Sequence, residues 1–148
     1  MPAATEFIKT FHDRRQCFAE LLVLSQRQQG LVETDDYTQL MRLLAGKQQI
    51  IGRLEAISNG APRLWDDWRR ERDVLPLAAR DACERTLAET EALLAELLEH
   101  ERVSTETLSR RRDETQEQLR SVTGGARVNQ AYRDSLAPAT HRILDLDQ

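Results

Sequence analysis

Apolar residues recur every three or four positions in the first part of the chain, which is the spacing of one face of an α-helix. The pattern predicts a first helix over about 5–29. Its apolar positions include Phe7, Phe11, Phe18, Leu21 and Leu22. Gly30 stands where a helix C-cap favours a residue without a side chain, so we expect the helix to end at 28–30.

A second helix is predicted after the sequence TDD at 34–36, which offers N-cap oxygens and negative charge at a helix start. Its apolar stripe advances in regular steps of three and four residues. The stripe consists of Tyr37, Leu40, Leu44, Lys47, Ile51 and Leu54, and it is widened by Leu43, Ile50 and Ile57. The turn sequence SNGAP at 58–62 ends this helix. Together the two segments predict an antiparallel hairpin over about 5–58, with Lys47 extending its ammonium group from the stripe towards water.

Two glycines, Gly46 and Gly52, lie inside the second predicted helix. Each costs about 1 kcal/mol relative to alanine in a helix interior. We therefore expect another helix to approach closely at both positions.

A connector over 59–76 follows the hairpin. Trp65 and Trp68 are three residues apart, which places them on one face of a short helix that Pro76 interrupts. The next stretch, about 77–122, contains neither glycine nor proline. This stretch predicts one long helix of about 70 Å, roughly twice the length of either hairpin helix.

The apolar stripe of this long helix changes character halfway along. Its first half carries cysteine and leucine, whereas the same seven-residue spacing in the second half leads to polar side chains. Those polar positions are Glu101, Ser104, Arg111 and Thr115. The apolar residues of the second half are Val103, Leu108, Leu119 and Val122. We therefore expect the hairpin to leave the second half of the long helix incompletely covered.

The end of the chain predicts one more short helix. Gly124-Gly125 is expected to break the long helix. In the tail, 126–148, Val128, Tyr132 and Leu136 recur every four residues before Pro138. The predicted fold is thus all-α, a single domain over 1–148 that forms an elongated antiparallel helical bundle with one long helix and a short C-terminal helix.

Composition and charge narrow the classes of function. Aromatic residues make up 5% of the chain and glycine and proline are few, which argues against an all-β fold. The 21 basic and 25 acidic residues leave a net charge of −4 without a basic segment, so nucleic acid is not expected as a main partner. We find neither a membrane span nor the apolar core of a secretory signal, and so expect a cytoplasmic protein with Cys17 and Cys83 reduced.

The sequence contains no recognisable catalytic or metal-binding motif. Leu97 stands three residues before His100, where a di-iron bundle needs glutamate, and the pair of Glu96 and His100 alone is typical of a solvated helix face. His12 and His141 are interpreted as surface residues. Nucleotide-binding loops, zinc spacings and nucleophile motifs are missing from the sequence. We therefore expect a protein that is not an enzyme and needs no cofactor.

Two surface features leave alternatives open. Trp65 and Trp68 either close the end of the bundle as core residues or anchor a partner, because exposed tryptophans are typical binding hot spots. The second half of the long helix is either covered by the tail or forms a groove for the amphipathic helix of another protein. Both interpretations of this half could hold at different times if the tail covers it and a partner helix displaces the tail.

Three stretches of the chain resemble the flagellar type III export chaperones, the FlgN and FliT group. The first is the acidic start and stripe DDYTQLMRLLAGKQQIIGRLEAI after an amphipathic helix. The second is the charged helix LLAELLEHERVSTETLSRRRDETQEQLR, and the third is GGARVNQAYR. The connector with Trp65 and Trp68 has no counterpart among the features that carry this resemblance.

The resemblance implies a small cytoplasmic chaperone that binds the C-terminal helical segments of hook-associated or filament-cap subunits. It implies that the protein prevents their premature assembly and delivers them to the export apparatus without a cofactor. By position, the client surface would be the late part of the long helix and the tail. Together with the surface features above, the predicted partner-binding residues are Val103, Leu108, Leu119, Val122, Val128, Tyr132, Leu136, Trp65 and Trp68.

An alternative from another class is a self-associating coiled-coil adaptor. In that case the second half of the long helix would pair with a second copy of itself. Polar residues on its stripe disfavour a permanent coiled coil, although one or two of them can set the register. The chain is accordingly expected to be a monomer or a homodimer.

Overall fold

The computed structural model of the protein describes residues 3–34 and 36–125, with the side chains described to residue 122. Within these ranges the secondary structure is helical and contains no strand, which confirms the all-α prediction. The helices are α1 (Ala4–Leu31), α2 (Tyr37–Gly60), α3 (Leu64–Glu71), a 3-10 turn (Arg72–Val74) and α4 (Leu77–Gly125).

The ends of the first two helices follow local capping chemistry. The predicted N-cap of α2 is confirmed, because the side chain of Asp36 accepts a hydrogen bond of 3.1 Å from the backbone N–H of Gln39. The predicted C-cap of α1 at Gly30 is wrong. The helix continues to Leu31, and the backbone N–H of Val32 closes it by donating to the carbonyl of Gln28. Gly30 thus lies inside the last turn.

Two pairs of polar side chains fix the direction of α2 relative to α1. Arg53 of α2 pairs with Glu20 of α1 at 2.7 Å. Lys47 of α2 donates to the side-chain oxygen of Gln28 of α1, also at 2.7 Å. The residue number rises in one helix as it falls in the other, so the predicted antiparallel hairpin is confirmed.

The two glycines of α2 differ in their surroundings. A Cβ atom added to Gly46 would lie 3.6 Å from Cδ1 of Leu24 on α1, in ordinary van der Waals contact. A Cβ atom at Gly52 would meet no heavy atom within 4 Å. Alanine would therefore fit at both positions, so neither Gly46 nor Gly52 shows the close helix approach that would favour glycine.

The short connector brings the chain back to the start of α1, so α4 runs parallel to α1. Arg15 of α1 pairs with Glu89 of α4 at 2.5 Å. Further along both helices, Oγ of Ser25 donates to a carboxylate oxygen of Glu101 at 2.6 Å. Both residue numbers rise together, which is the register of parallel neighbours.

An aromatic cluster joins α1, α3 and α4. Its buried members are Phe7, Phe11, Leu64, Trp68 and Cys83. The Trp68 ring meets Phe7 and Phe11 edge to face, with ring centroids 5.4 Å and 5.2 Å apart. This arrangement is favoured for aromatic pairs and adds to the large apolar area that each ring buries.

A second group of buried residues, the middle cluster, lies further along α1 and α4 and includes α2. Its members are Cys17, Leu21, Leu22, Ile50 and Leu97. They come from α1, α2 and α4, which makes this part of the core a three-helix packing. Leucine and isoleucine side chains on α2 and α4 cover its margins.

The chain divides into two compact units, 1–107 and 108–148, with the boundary inside α4. Both clusters belong to the first unit. In the second unit the described residues, 108–125, are helical, and α4 extends to Gly125, slightly past its predicted end at about 122. The predicted tail helix over 126–148 lies outside the described residues. Across the described chain, no helix combines the length and apolar character needed to cross a membrane.

Candidate partner-binding surface

Three predicted binding residues on the late part of α4 are exposed. Leu108 is 42%, Leu119 49% and Val122 59% exposed. Residues separated by three or by eleven positions share a helix face, since eleven residues complete about three turns. These three side chains form the client stripe, an apolar strip within the second unit.

The remaining predicted residues of this region have other surroundings. Val103 is partly buried within the first unit. Val128, Tyr132 and Leu136 lie outside the described residues. The described part of the predicted surface is therefore the client stripe.

The two tryptophans, predicted to share a face, have different exposures. Trp68 is 5% exposed and belongs to the aromatic cluster, so it is a core residue with almost no surface to offer a partner. Trp65 is 43% exposed and stacks on Phe11 with ring centroids 5.7 Å apart. Of the two open interpretations, the core plug describes Trp68, whereas Trp65 retains the surface that an anchor needs.

Arg14, a residue that sequence reasoning missed, lies against Trp65. Its Cζ atom is 4.9 Å from the centroid of the Trp65 ring and 5.9 Å from that of Phe18. Both distances fall within the range of cation–π attraction. Burial lowers the pKa of the Arg14 guanidinium from its ordinary value. The only sequence signal was the position of an arginine between two phenylalanines on an apolar face.

A polar layer interrupts the apolar core beyond the middle cluster. It consists of Ser25, Gln28, Lys47 and Glu101. The Lys47 ammonium group donates to Oε1 of Glu101 and to the side-chain oxygen of Gln28. Ser25 donates to the same Glu101 oxygen. Lys47 thus ends in an ion pair between helices, and the prediction that it extends to water is wrong.

The polar layer shifts the ionisation of its carboxylate. Burial opposes ionisation of Glu101, but the hydrogen bonds from Lys47 and Ser25 and the positive charge of Lys47 outweigh it. The pKa of Glu101 is therefore lowered.

The polar half of the α4 stripe begins inside the core of the first unit. Ser104 is 1% exposed, and its Oγ has no hydrogen-bond partner among the described residues. Thr107 is also buried, and its hydroxyl donates to the carbonyl of Val103. The expectation that cover is incomplete from Glu101 onwards is thus wrong for Ser104 and Thr107.

The start of α2 shows a further difference from the predicted stripe. Tyr37, Met41 and Leu44 are exposed, whereas Leu43 and Ile50 are the buried residues of α2. The core therefore meets the side of the predicted apolar face that carries Leu43 and Ile50, and not the side that carries Tyr37 and Leu44. Counting steps of three and four defines a wide apolar face but not which part of that face meets the neighbouring helices.

The described residues hold no group of three or more histidine, cysteine, aspartate or glutamate side chains placed to bind a metal ion. His100 donates from Nδ1 to the side-chain oxygen of Gln29 at 2.5 Å, which links α4 to α1. Cys17 and Cys83 are buried free cysteines, and burial raises the pKa of both thiols. Buried thiols with raised pKa values are typical of packing residues rather than nucleophiles.

Comparisons of the chain with family models, with curated proteins and with solved structures found no match.

Proposed function

We propose that the protein is a cytoplasmic flagellar export chaperone that binds the C-terminal helical segment of a hook-associated or filament-cap subunit. In this proposal it prevents premature assembly of that subunit, aids its delivery to the type III export apparatus, and acts without catalysis or a cofactor. The observation that carries the proposal is the client stripe. Leu108, Leu119 and Val122 leave 42–59% of their surfaces exposed on one face of a regular helix.

The client stripe offers the contact that an amphipathic helix needs. Removing apolar surface from water contributes roughly 25 cal/mol for each Å², from which the entropic cost of association is subtracted. Helix-in-groove recognition places apolar anchors at spacings of three, four and seven residues. Thr115 continues the stripe between Leu108 and Leu119, at spacings of seven and four. A polar position of this kind suits a partner that must later be released.

A variant of the stripe tests this proposal. We expect the double variant Leu119→Asp with Val122→Asp to lose client binding while its helix content, followed by circular dichroism, stays nearly intact. The matched control is Gln118→Asp with Ser121→Asp. It adds the same two charges at the same spacing, at exposed positions outside the stripe.

The assay is a pull-down from an extract of the source cells with the tagged full chain, followed by mass spectrometry. Wild type and control should enrich a hook-associated or filament-cap subunit, and the stripe variant should not. Normal enrichment by the stripe variant, or recovery of the bait alone by wild type, would contradict the proposal.

The alternative function, a self-associating coiled coil, predicts a dimer. Arg111 and Thr115 lie on the α4 stripe that would form the dimer seam, and polar residues there disfavour a permanent coiled coil. Sedimentation velocity at micromolar concentration should therefore show a monomer. A tight dimer that the stripe variant dissociates would favour the adaptor instead.

A further inference from the structure

Arg14 differs from two other basic residues that are also partly buried. Arg15 pairs with Glu89, and Lys47 pairs with Glu101. Arg14 is likewise partly buried, yet it makes no hydrogen bond or ion pair with any residue that the structure describes. Charged groups removed from water are stabilised mainly by hydrogen-bonded counter-charges. A carboxylate that reached Arg14 would therefore gain more than one at a fully hydrated arginine.

The surroundings of Arg14 hold it in place without using its hydrogen-bond donors. Its guanidinium lies against Trp65 and Phe18 at cation–π distances. Trp65 is itself fixed by stacking on the fully buried ring of Phe11. Contact with aromatic faces uses no N–H group, so the five donors of the guanidinium remain available to a ligand.

The charges nearby favour a single carboxylate as that ligand. Lys9 already pairs with Asp13, and Arg15 with Glu89, so neither offers an uncommitted second cation for a phosphate dianion. A carboxylate matches one guanidinium with two parallel hydrogen bonds. The exposed part of the Trp65 ring adds apolar surface beside it.

We propose that Arg14, Trp65 and Phe18 form a docking site for a protein segment that presents a glutamate or aspartate side chain flanked by apolar residues. Arginine and tryptophan are the residue types most enriched at binding hot spots, and here they are in contact. The site shares no residue with the client stripe, so its failure and the failure of the chaperone proposal are separate results.

A pair of blocked peptides tests the site without altering the protein. The probes are acetyl-Leu-Glu-Leu-amide and its glutamine counterpart, titrated into the isotope-labelled full chain and followed by NMR. The reporters are the indole N–H of Trp65, assigned with Trp65→Phe, and Nε–H of Arg14. The glutamate peptide should shift both signals in a saturable way. The glutamine peptide should bind about tenfold more weakly, because one charge-assisted bidentate contact is lost.

Protein variants provide the second arm. Arg14→Lys keeps the positive charge but loses the planar fork, and it should bind the glutamate peptide about as weakly as Arg14→Gln. The Trp68 indole signal, which reports on the aromatic cluster, checks that each variant is folded. Equal shifts from both peptides, or no saturable shift in the wild-type chain, would overturn the proposal.

Discussion

The aromatic cluster and the polar layer both join α1 to α4, but they do so by different physical means. In the aromatic cluster, Phe7, Phe11 and Trp68 bury large apolar rings in edge-to-face contact. In the polar layer, Lys47 and Glu101 meet in an ion pair supported by hydrogen bonds. Apolar burial is strong but weakly directional, whereas the ion pair contributes little net stability and favours one alignment of the helices.

The contrast suggests a division of roles within the first unit. The aromatic cluster supplies most of the stability where α3 closes the end of the helices. The polar layer specifies register, because Glu101 must lie opposite both Ser25 of α1 and Lys47 of α2. Substitutions in the aromatic cluster and in the polar layer should therefore differ in how far they lower the free energy of unfolding. They should also differ in whether a second substitution can restore it.

The largest effect is expected in the aromatic cluster. Trp68→Ala removes a ring that is 5% exposed and should lower the free energy of unfolding by about 3–5 kcal/mol. Trp65→Ala is the matched control, since that ring is 43% exposed, and should cost about 1 kcal/mol. Urea unfolding followed by circular dichroism measures both. Equal losses would show that the cluster does not hold this end of the molecule.

Breaking the ion pair of the polar layer should have the next largest effect. Lys47→Met leaves the Glu101 carboxylate, whose side chain is 35% exposed, without its counter-charge. We expect a loss of about 1–2 kcal/mol, below the cost of breaking a fully buried pair. The double variant Lys47→Met with Glu101→Gln should recover most of this loss, because it leaves no unpaired charge and the amide oxygen can still accept from Ser25.

The control for this prediction is Lys9→Met, which makes the same change at the exposed ion pair of Lys9 with Asp13 on α1. It should leave the midpoint of urea unfolding unchanged, because exposed pairs contribute little. A double variant no more stable than Lys47→Met alone would contradict the view that the layer serves alignment more than stability.

Substituting two buried serines should change the stability by smaller amounts and in opposite directions. Ser104→Ala removes a buried hydroxyl that has no partner among the described residues and should stabilise the protein by up to about 1 kcal/mol. Ser25→Ala removes the donor to Glu101 and should destabilise it by about 1 kcal/mol. Thermal unfolding distinguishes the two signs. Destabilisation by both variants would mean that Ser104 has a partner in solution.

The smallest expected effect is the pH dependence of the polar layer. Because the folded-state pKa of Glu101 is lowered from its ordinary value of 4.5, its contribution to stability is complete above that value. The contribution is lost as the pH falls through the folded-state pKa. The stability difference between wild type and Glu101→Gln should thus be constant near neutral pH and shrink below pH 4.5. A difference independent of pH in this range would contradict the assignment.

Residue spacing predicted the helices but not how their faces meet. Steps of three and four predicted α1, α2 and α4, because each helix must bury one face. The same counting placed both Tyr37 and Leu43 on the apolar face of α2, and of these two only Leu43 is buried. When the apolar face of a helix is wider than the contact it makes, the neighbouring helices determine which part of that face is buried.

Contacts between distant segments were beyond the reach of sequence reasoning. Lys47 and Glu101 each appeared as a polar residue on an apolar stripe, and their pairing depends on the register of α2 against α4. The difference between Trp65 and Trp68 likewise depends on where Phe7 and Phe11 meet α3. Local pattern fixes which face of a helix is apolar, whereas partners tens of residues away fix which side chains are buried.

The exposure of the client stripe agrees with the sequence pattern, but the point at which the exposed region begins does not. Leu108, Leu119 and Val122 were expected in the incompletely covered half of the long helix, and all three are exposed. Ser104 was expected in the same region but is buried, as is Thr107 one turn further along. The start of the exposed region could not be predicted, because it depends on where the neighbouring helices end.

The most direct test of the proposed function is a calorimetric titration of the full chain with purified C-terminal segments of hook-associated and filament-cap subunits from the source genome. The account predicts saturable binding of at least one segment. It predicts that Leu119→Asp with Val122→Asp abolishes this binding and that Gln118→Asp with Ser121→Asp preserves it. Absence of binding to every segment, or equal binding by the stripe variant, would contradict the account.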